Sequence, residues 1–429
     1  MRTSVCFGAA VPAPNITATV TAAITHTVFS SVAGIDAEEW NSVFGKSENL
    51  SLQHAYLLAL EQSNEGKVDF RYVLFTRNSR VVGVTCFQLF EVAGSEALKT
   101  SAIEQQQAEP AKGMWNRTAQ WVKKKSFNRI YRLKLRLLVC GNALMTGEYG
   151  FYFTPQIPDT HAFELVQKVI DQIERQEAAT GKKIDLVLVK DFKQQRMAVA
   201  ETLFKQGAYR KISFQPNMVM HLQPEWLSFD DYLSAMSSKY RVRAKRVLKK
   251  GTEMERKDLE AAAIEQQLSA IYAFYAEVAD SMDFNLLSAP PRYFTELKKQ
   301  MGNRFRLIAY CLNGQMVGFI TAIVGKQHME VHFTGYNHQL NRDYAIYSNI
   351  LYDMVKLGIE NRVQTISFGR TALEIKSTVG ATGEDMPAFI KHRSRLVNRL
   401  LVPLINQFNQ ETWIPRHPFR QAGADGETD

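Results

Sequence analysis

The chain has 429 residues, 45% of them hydrophobic, with 52 Lys plus Arg against 43 Asp plus Glu and a formal charge of +9. This composition excludes wholesale disorder and leaves room for two or three domains with full cores. Four scattered cysteines, Cys6, Cys86, Cys140 and Cys311, form no CxxC pair, which argues against a disulfide scaffold or cysteine zinc site and fits a reducing, cytoplasmic compartment. No run approaches the ~18 to 20 apolar residues that span a bilayer.

Residues 1–27 read as a loose leader rather than a signal peptide, because Pro12, Pro14 and Asn15 break the Ala, Thr and Val run and only Arg2 flanks it. A first domain is expected over 28–222. It opens with the helical pattern LSLQHAYLLALEQS, anchored by Tyr56 and Leu60, and the hairpin FRYVLFTRNSRVVGV. An insertion at about 94–132 follows, with Trp115, Ala119 and Val122 on one helical face. From Lys112 to Arg136 there are nine basic residues and no acidic one. Basic charge with interfacial aromatics suits an anionic membrane surface; the alternative is a solvated helix that packs its aromatics on the same chain. A helix, FELVQKVIDQIERQEAATG, then leads to a strand, IDLVLVK, and a helix ending FKQGA.

A second domain is expected over 223–410, with a tail over 411–429. Its opening, SFDDYLSAMSSKYRVRAKRVLKKG, reads as one long amphipathic helix capped by Ser228 and stopped at Gly251. Lys239 to Lys250 holds seven basic residues and no acidic one, so outside the two basic segments the chain has 36 basic and 43 acidic residues. The body is acidic, and the positive lean is local. No zinc-finger or RNP-like motif accompanies the charge.

The order of elements then repeats. SAPPRYFTELKKQM supplies Tyr293 and Leu297, and the hairpin FRLIAYCLNGQMVGF matches the first at five of fifteen positions: Phe70 with Phe305, Arg71 with Arg306, Asn78 with Asn313, Val82 with Val317 and Gly83 with Gly318. IYSNILYDMVKLGIENR, TISFGR and a helix ending STVGA follow, with Gly207-Ala208 echoed by Gly380-Ala381. The expected fold is α/β (α+β): two related domains, each a mixed, mainly antiparallel sheet flanked by helices.

Two segments carry candidate chemistry. In HMEVHFTGY, strand alternation puts His328, Glu330, His332, Thr334 and Tyr336 on one face, and Met329, Val331 and Phe333 on the other. A polar, titratable face suits proton removal from an attacking ammonium, with His332 or Glu330 as base, Tyr336 as donor or acid and His328 toward substrate. The alternatives are a half-exposed strand or a metal shared by His328, Glu330 and His332. In FGRTALEIKSTVGA, Arg370 and Lys376 follow a strand end and suit a phosphate or carboxylate, with Glu374 orienting one of them or the acceptor; an Arg370–Glu374 pair at i, i+4 is the bland alternative.

The succession of helices, hairpin, strands, helix, strand and last helix resembles the GNAT acyltransferase fold. Its duplication resembles the Fem-type peptidoglycan aminoacyl transferases and the wider Fem-like, BioF2-type acetyltransferase domain group. KYRVRAKRVLKKG is similar to the opening of that domain, and YSNILYDMVKLGIENR with ISFGRTALEIKSTVGA to its close, in which Lys376 matches the closing lysine. The resemblance implies an N-acyltransferase using acyl-CoA or a similar thioester, with no metal. It also implies that HMEVHFTGY borders the donor cleft. The glycine-rich phosphate loop of ordinary GNAT enzymes is replaced by NHQLNRDYAIYSN, so the donor contacts implied are Arg342, Tyr347, Ser348 and Asn349 around a helix start. The acceptor implied is an amine on an envelope precursor or lipid, as in a ceramide synthase-like activity, with the protein at the inner face of the membrane. Two alternatives remain: an aminoacyl-tRNA-dependent transferase with the 239–250 helix touching tRNA, and a non-catalytic binding protein on the same fold. The first domain, lacking these motifs, is expected to shape the acceptor groove.

Overall fold

The structure is a computed structural model, described here for residues 23–45, 47–93, 134–281, 286–399 and 413–420. Residues 1–22 of the expected leader and the whole expected insertion lie outside the described residues, as does most of the expected tail; the leader's last residues are not loose, since Thr25–Phe29 pair as a strand with Tyr72–Thr76.

In the first half the elements used below are β1 (Thr25–Phe29), α1 (His54–Ser63), β2 (Val68–Arg77), β3 (Arg80–Ala93), β4 (Lys134–Cys140) and β5 (Phe151–Phe153). They continue with α2 (Asp159–Ala179), β6 (Leu186–Val189), α3 (Met197–Gln206), β7 (Arg210–Ile212) and β8 (Asn217–His221). The second half has α4 (Phe229–Ala235), α5 (Ser238–Lys250), β9 (Glu255–Asp258), α6 (Leu268–Ser281), α7 (Tyr293–Met301), β10 (Phe305–Leu312), β11 (Gln315–Val324) and β12 (His328–Tyr336). It closes with α8 (His338–Tyr344), α9 (Ile346–Glu360), β13 (Thr365–Ser367), α10 (Leu373–Ser377), β14 (Thr382–Glu384) and β15 (Ala388–His392).

The two hairpins repeat in detail. Asn78 and Ser79 turn the first with φ of 51° and 58°, and Asn313 and Gly314 turn the second with 48° and 79°, the left-handed pair that matches strand twist. The β2/β3 register slips between Phe75 and Thr76, and the β10/β11 register between Tyr310 and Cys311. Phe75 and Tyr310 are aligned positions in the sequence repeat, so even the bulge is duplicated.

The sheets do not divide where the sequence repeat does. One runs β1-β2-β3-β4-β6-β15-β7 with β5 on β3, and the other β9-β10-β11-β12-β13-β8-β14. β8 and β15, the equivalent last strands, have exchanged sheets, so a boundary at 222/223 cuts through both. The pairs β4/β6 and β12/β13 are parallel and the others antiparallel.

Three cores follow. α2 buries Phe163, Val166, Val169, Ile170 and Ile173 at helical spacing against the first sheet, and α9 buries Ile350, Met354, Val355 and Ile359 against the second. Between them a shared core joins Tyr56, Leu60 and Phe70 to Tyr293, Leu297 and Phe305. The anchors Tyr56 and Tyr293 meet there, hydroxyl to hydroxyl at 2.7 Å.

The segment expected as one long helix is two. Ser228 caps the first through a capping box with Asp231, and Gly251 ends the second, as expected. Between them Met236 is extended, with ψ of 146°, and bridges Phe419, while Ser237 N–H donates to the Pro418 carbonyl at 2.9 Å. Thus residues 413–420 of the expected tail pack into the second domain, with Phe419 against Trp226 and Tyr232. α5 buries only Ala244, which leaves its basic side outward.

Candidate functional site

β12 is an interior strand, flanked by β11 and β13, which removes the solvent-facing reading. It pairs with β13 from His328↔Thr365 to Glu330↔Ser367 and then continues alone past the end of β13. On the other side Ala322 faces Val331 and Ile320 faces Thr334, so β12 holds one extra residue near His332 and Phe333. The alternation therefore reverses. Met329 and Val331 pack in the outer core, Phe333 in the shared core, and Tyr336 on the outer core again. The expected common face breaks in two: His328, Glu330 and His332 look toward the first half, whereas Tyr336 stacks on Tyr347 on the other side. The Thr334 hydroxyl is used on the Phe319 carbonyl at 3.0 Å.

Glu330, only 4% exposed, accepts a hydrogen bond from His328 Nε2 at 3.0 Å and a short one from the Tyr149 hydroxyl. His328 is oriented in turn by the Thr365 hydroxyl at 2.7 Å from Nδ1. Both bonds to Glu330 fall on Oε1. Burial and the Glu330 charge push the Tyr149 phenol well up, which keeps it a neutral donor. Tyr149 comes from the first half, where no sequence motif marked it. A signal existed in Gly147 and Gly150, since a Cβ at Gly147 would strike the Tyr149 ring at 2.1 Å.

His332 belongs to a separate chain. Its Nε2 meets the Tyr293 hydroxyl at 2.8 Å, Tyr293 meets Tyr56, and Asn142 Nδ2 donates to Tyr56 at 2.7 Å. Burial drives the His332 imidazole down to about 3, so it is neutral through the physiological range. With His332 turned to Tyr293 and His328 to Glu330, the three-ligand metal arrangement is not assembled.

The second constellation comes apart. Arg370 donates to Asp191 Oδ1 at 2.7 Å and to the carbonyls of Gln215 and Met386 at 2.8 and 3.0 Å. It is a clamp between halves. Burial alone would raise the Asp191 carboxyl, but Arg370, Lys190 and the Gly147 N–H outweigh it and hold it below the usual range. Lys376 is 5% exposed and donates to the carbonyls of Gly369 and Arg370 at 3.2 and 2.7 Å, and burial lowers it to about 7. Those carbonyls belong to a turn with Gly369, Thr371 and Ala372 all left-handed, so Lys376 ties down a strained strand end. Glu374 pairs with Arg416, not with Arg370.

Of the expected donor contacts, Asn349 is fully buried, with its amide donating to the carbonyls of Val247, Tyr344 and Ala345 at 3.0 to 3.1 Å; it splices α5, α8 and α9 and has no edge for a ligand. Arg342 is exposed on α8, and Lys250 Nζ reaches its carbonyl at 2.9 Å, which brings the basic end of α5 to the start of α9. Ser348 and Tyr347 are half-buried in the first turn of α9, which has no side-chain cap.

Between the halves lies a cavity of about 690 Å³, walled by Glu148, Tyr149 and Tyr152 from the first half and by His328, Glu330 and Thr365 from the second. His332, Tyr336, Arg370, Glu374 and Lys376 are not on this wall.

Residues 238–377 match the family model of the acetyltransferase (GNAT) domain. The fold of the whole chain is similar to that of FemX, with a TM-score of 0.51 at 11% identity over 87% of this chain and 98% of that one. The fold is Fem-like, and residues 238–377 carry the GNAT domain. Two further solved structures align at lower scores. One is the C-terminal domain (DUF2156) of a putative lysylphosphatidylglycerol synthetase from Agrobacterium fabrum, with a TM-score of 0.47 at 8% identity over 87% of this chain and 97% of that one. The other is a tandem GNAT protein from the clavulanic acid biosynthesis pathway, with 0.46 at 8% over 87% and 99%. No curated protein matches the sequence. The GNAT domain is an acyltransferase domain, and it holds every second-half residue of the polar network on β12. Among the described residues no helix is long and apolar enough to cross a membrane.

Proposed function

We propose that the protein is an N-acyltransferase that moves an acyl group from acyl-CoA or a similar thioester to an amine held between its halves. The observation that carries this reading is Glu330. It sits where β12 runs on past β13, it faces a cavity large enough for an acceptor, and His328 and Tyr149 fix one of its oxygens. Oε2 is left for the acceptor among the described residues. An ammonium passes one proton to Glu330, and the freed nitrogen attacks the thioester carbonyl. As the C–N bond forms and the C–S bond breaks, the second nitrogen proton leaves with the thiolate. His328 and Tyr149 hold the carboxylate in place, and the neutral His332 supports β12 through Tyr293.

The donor approaches the start of α9, where Arg342, the Ser348 hydroxyl and the end of α5 offer positive charge and a hydrogen-bond donor to a pyrophosphate. Domains in the functional sense are then a catalytic 223–410 and a supporting 28–222. Calorimetric titration of the purified protein with acetyl-CoA and with a long-chain acyl-CoA tests the reading: saturable binding of one is expected, and binding of neither sinks it. An aminoacyl-tRNA donor is the second reading, favoured by the outward Lys239, Arg243, Lys245 and Arg246 of α5. Salt-sensitive tRNA binding lost in Lys245→Glu, with no acyl-CoA binding, would promote it.

A further inference from the structure

The wall of the central cavity bears on the acceptor, given the acyl-transfer reading above. Pockets of about 300 to 1,000 Å³ enclose a drug-sized molecule, and this one, at about 690 Å³, exceeds what a small amine needs. Its wall has two features beyond Glu330. The carboxylates Glu48, Glu148, Asp159, Glu330 and Glu384 face it against the cations Lys193 and Arg196, the reverse of the chain's overall sign. Glu148 and Asp159 share Arg196, at 3.0 and 2.9 Å, and Glu48 is paired with Arg304, which leaves Glu330 and Glu384, among the described residues, with only histidine and tyrosine side chains as partners. The second feature is an apolar surface of Tyr152, Pro155 and Pro158, which with Val219 and Met386 gives hydrocarbon something to lie on.

We propose that this cavity takes an acceptor that is a protonated amine with an alkyl or aryl hydrocarbon part, and refuses a phosphate-bearing precursor. The ammonium is held at Glu330 and the hydrocarbon lies along Tyr152 and Pro155. A phosphate in the same place would meet Glu330 and Glu384, which have no Arg or Lys partner among the described residues, in a part-buried setting, where like charges repel strongly. The anionic donor and cationic acceptor are thereby sorted to different sides of the GNAT domain: the first to the basic end of α5, the second to the acidic cleft.

Matched probes test this on the full chain by calorimetry: octylamine, octanol and octyl phosphate share one tail and differ in head group. Octylamine is expected to bind saturably and the other two not. Glu384→Lys, outside the reactive network, is expected to weaken octylamine about tenfold, which is about 1.4 kcal/mol. Tyr152→Ala is expected to abolish the preference for octylamine over butylamine. Octyl phosphate binding as tightly as octylamine, or octylamine binding untouched by Glu384→Lys, overturns the inference. Acetyl-CoA is titrated in parallel. Its binding without octylamine binding defeats the inference and leaves acyl transfer standing; octylamine binding without any acyl-CoA binding does the opposite.

Discussion

β6 and β13 occupy equivalent places in the two halves, yet their ends carry opposite charges that meet. β6 runs into Asp191 and β13 into Arg370, and the two form a 2.7 Å ion pair across the molecule. The strands beside them differ as much. β4 ends in the apolar run Leu137 to Cys140, all buried, whereas β12 carries His328 and Glu330 on the cavity wall. The first half supports the polar strand of the second, through Tyr149 on Glu330 and Asp191 on Arg370. The exchanged strands β8 and β15 make that division of labour irreversible, since neither sheet is complete without the other half.

The largest effect is expected from breaking the chain at that exchange. Fragments 1–222 and 223–429 each lack an interior strand, so each expressed alone is expected to be insoluble, and co-expression to recover a soluble complex by gel filtration; two independently folded fragments would refute the shared architecture. Next is chemistry: Glu330→Gln should lower kcat/KM by about 10²- to 10⁴-fold, the range for loss of a general base, while His332→Ala should lower it about tenfold or less. Equal losses would put His332 back in the mechanism. Thiol release from the acyl donor reads both.

The clamp is the third target. Asp191→Ala strands the buried Arg370 and Lys190 charges and should cost about 3 to 5 kcal/mol in urea unfolding, and adding Arg370→Met should recover part of it. The smallest effect is one of pH. Lys376 ionises near 7 folded and near 10.5 ordinarily. Below pH 7 it is charged in both states and the folded protein bears the buried charge. Between about pH 7 and 10.5 the unfolded chain binds more protons, so stability rises with pH. Relative to Lys376→Met, the wild type should therefore gain in Tm from pH 6 to pH 9, and a flat difference would show that burial does not shift this lysine.

The repeat was legible because hairpins are written locally: Asn78-Ser79 and Asn313-Gly314 demand a left-handed turn whatever surrounds them. The Ser228 cap and the Gly251 stop are local in the same sense. The single polar face of HMEVHFTGY failed because one extra residue in β12 reverses the alternation, and the register that creates the bulge belongs to β11. Arg370, Glu374 and Lys376 looked like ligand contacts because the sequence lists charges without partners; Asp191, Arg416 and two carbonyls stand elsewhere in the chain.

By itself the sequence determined the α/β class, the two hairpins, the helix-strand-helix order of each half and the acidic body beneath local basic segments, since these follow from periodicity, turn chemistry and counting. Only the tertiary structure decided which half owns β8 and β15, which polar residues reach the cavity and which are consumed in holding the halves together. Those depend on contacts between residues such as Tyr149 and Glu330, 181 positions apart, and no local pattern encodes a partner at that distance.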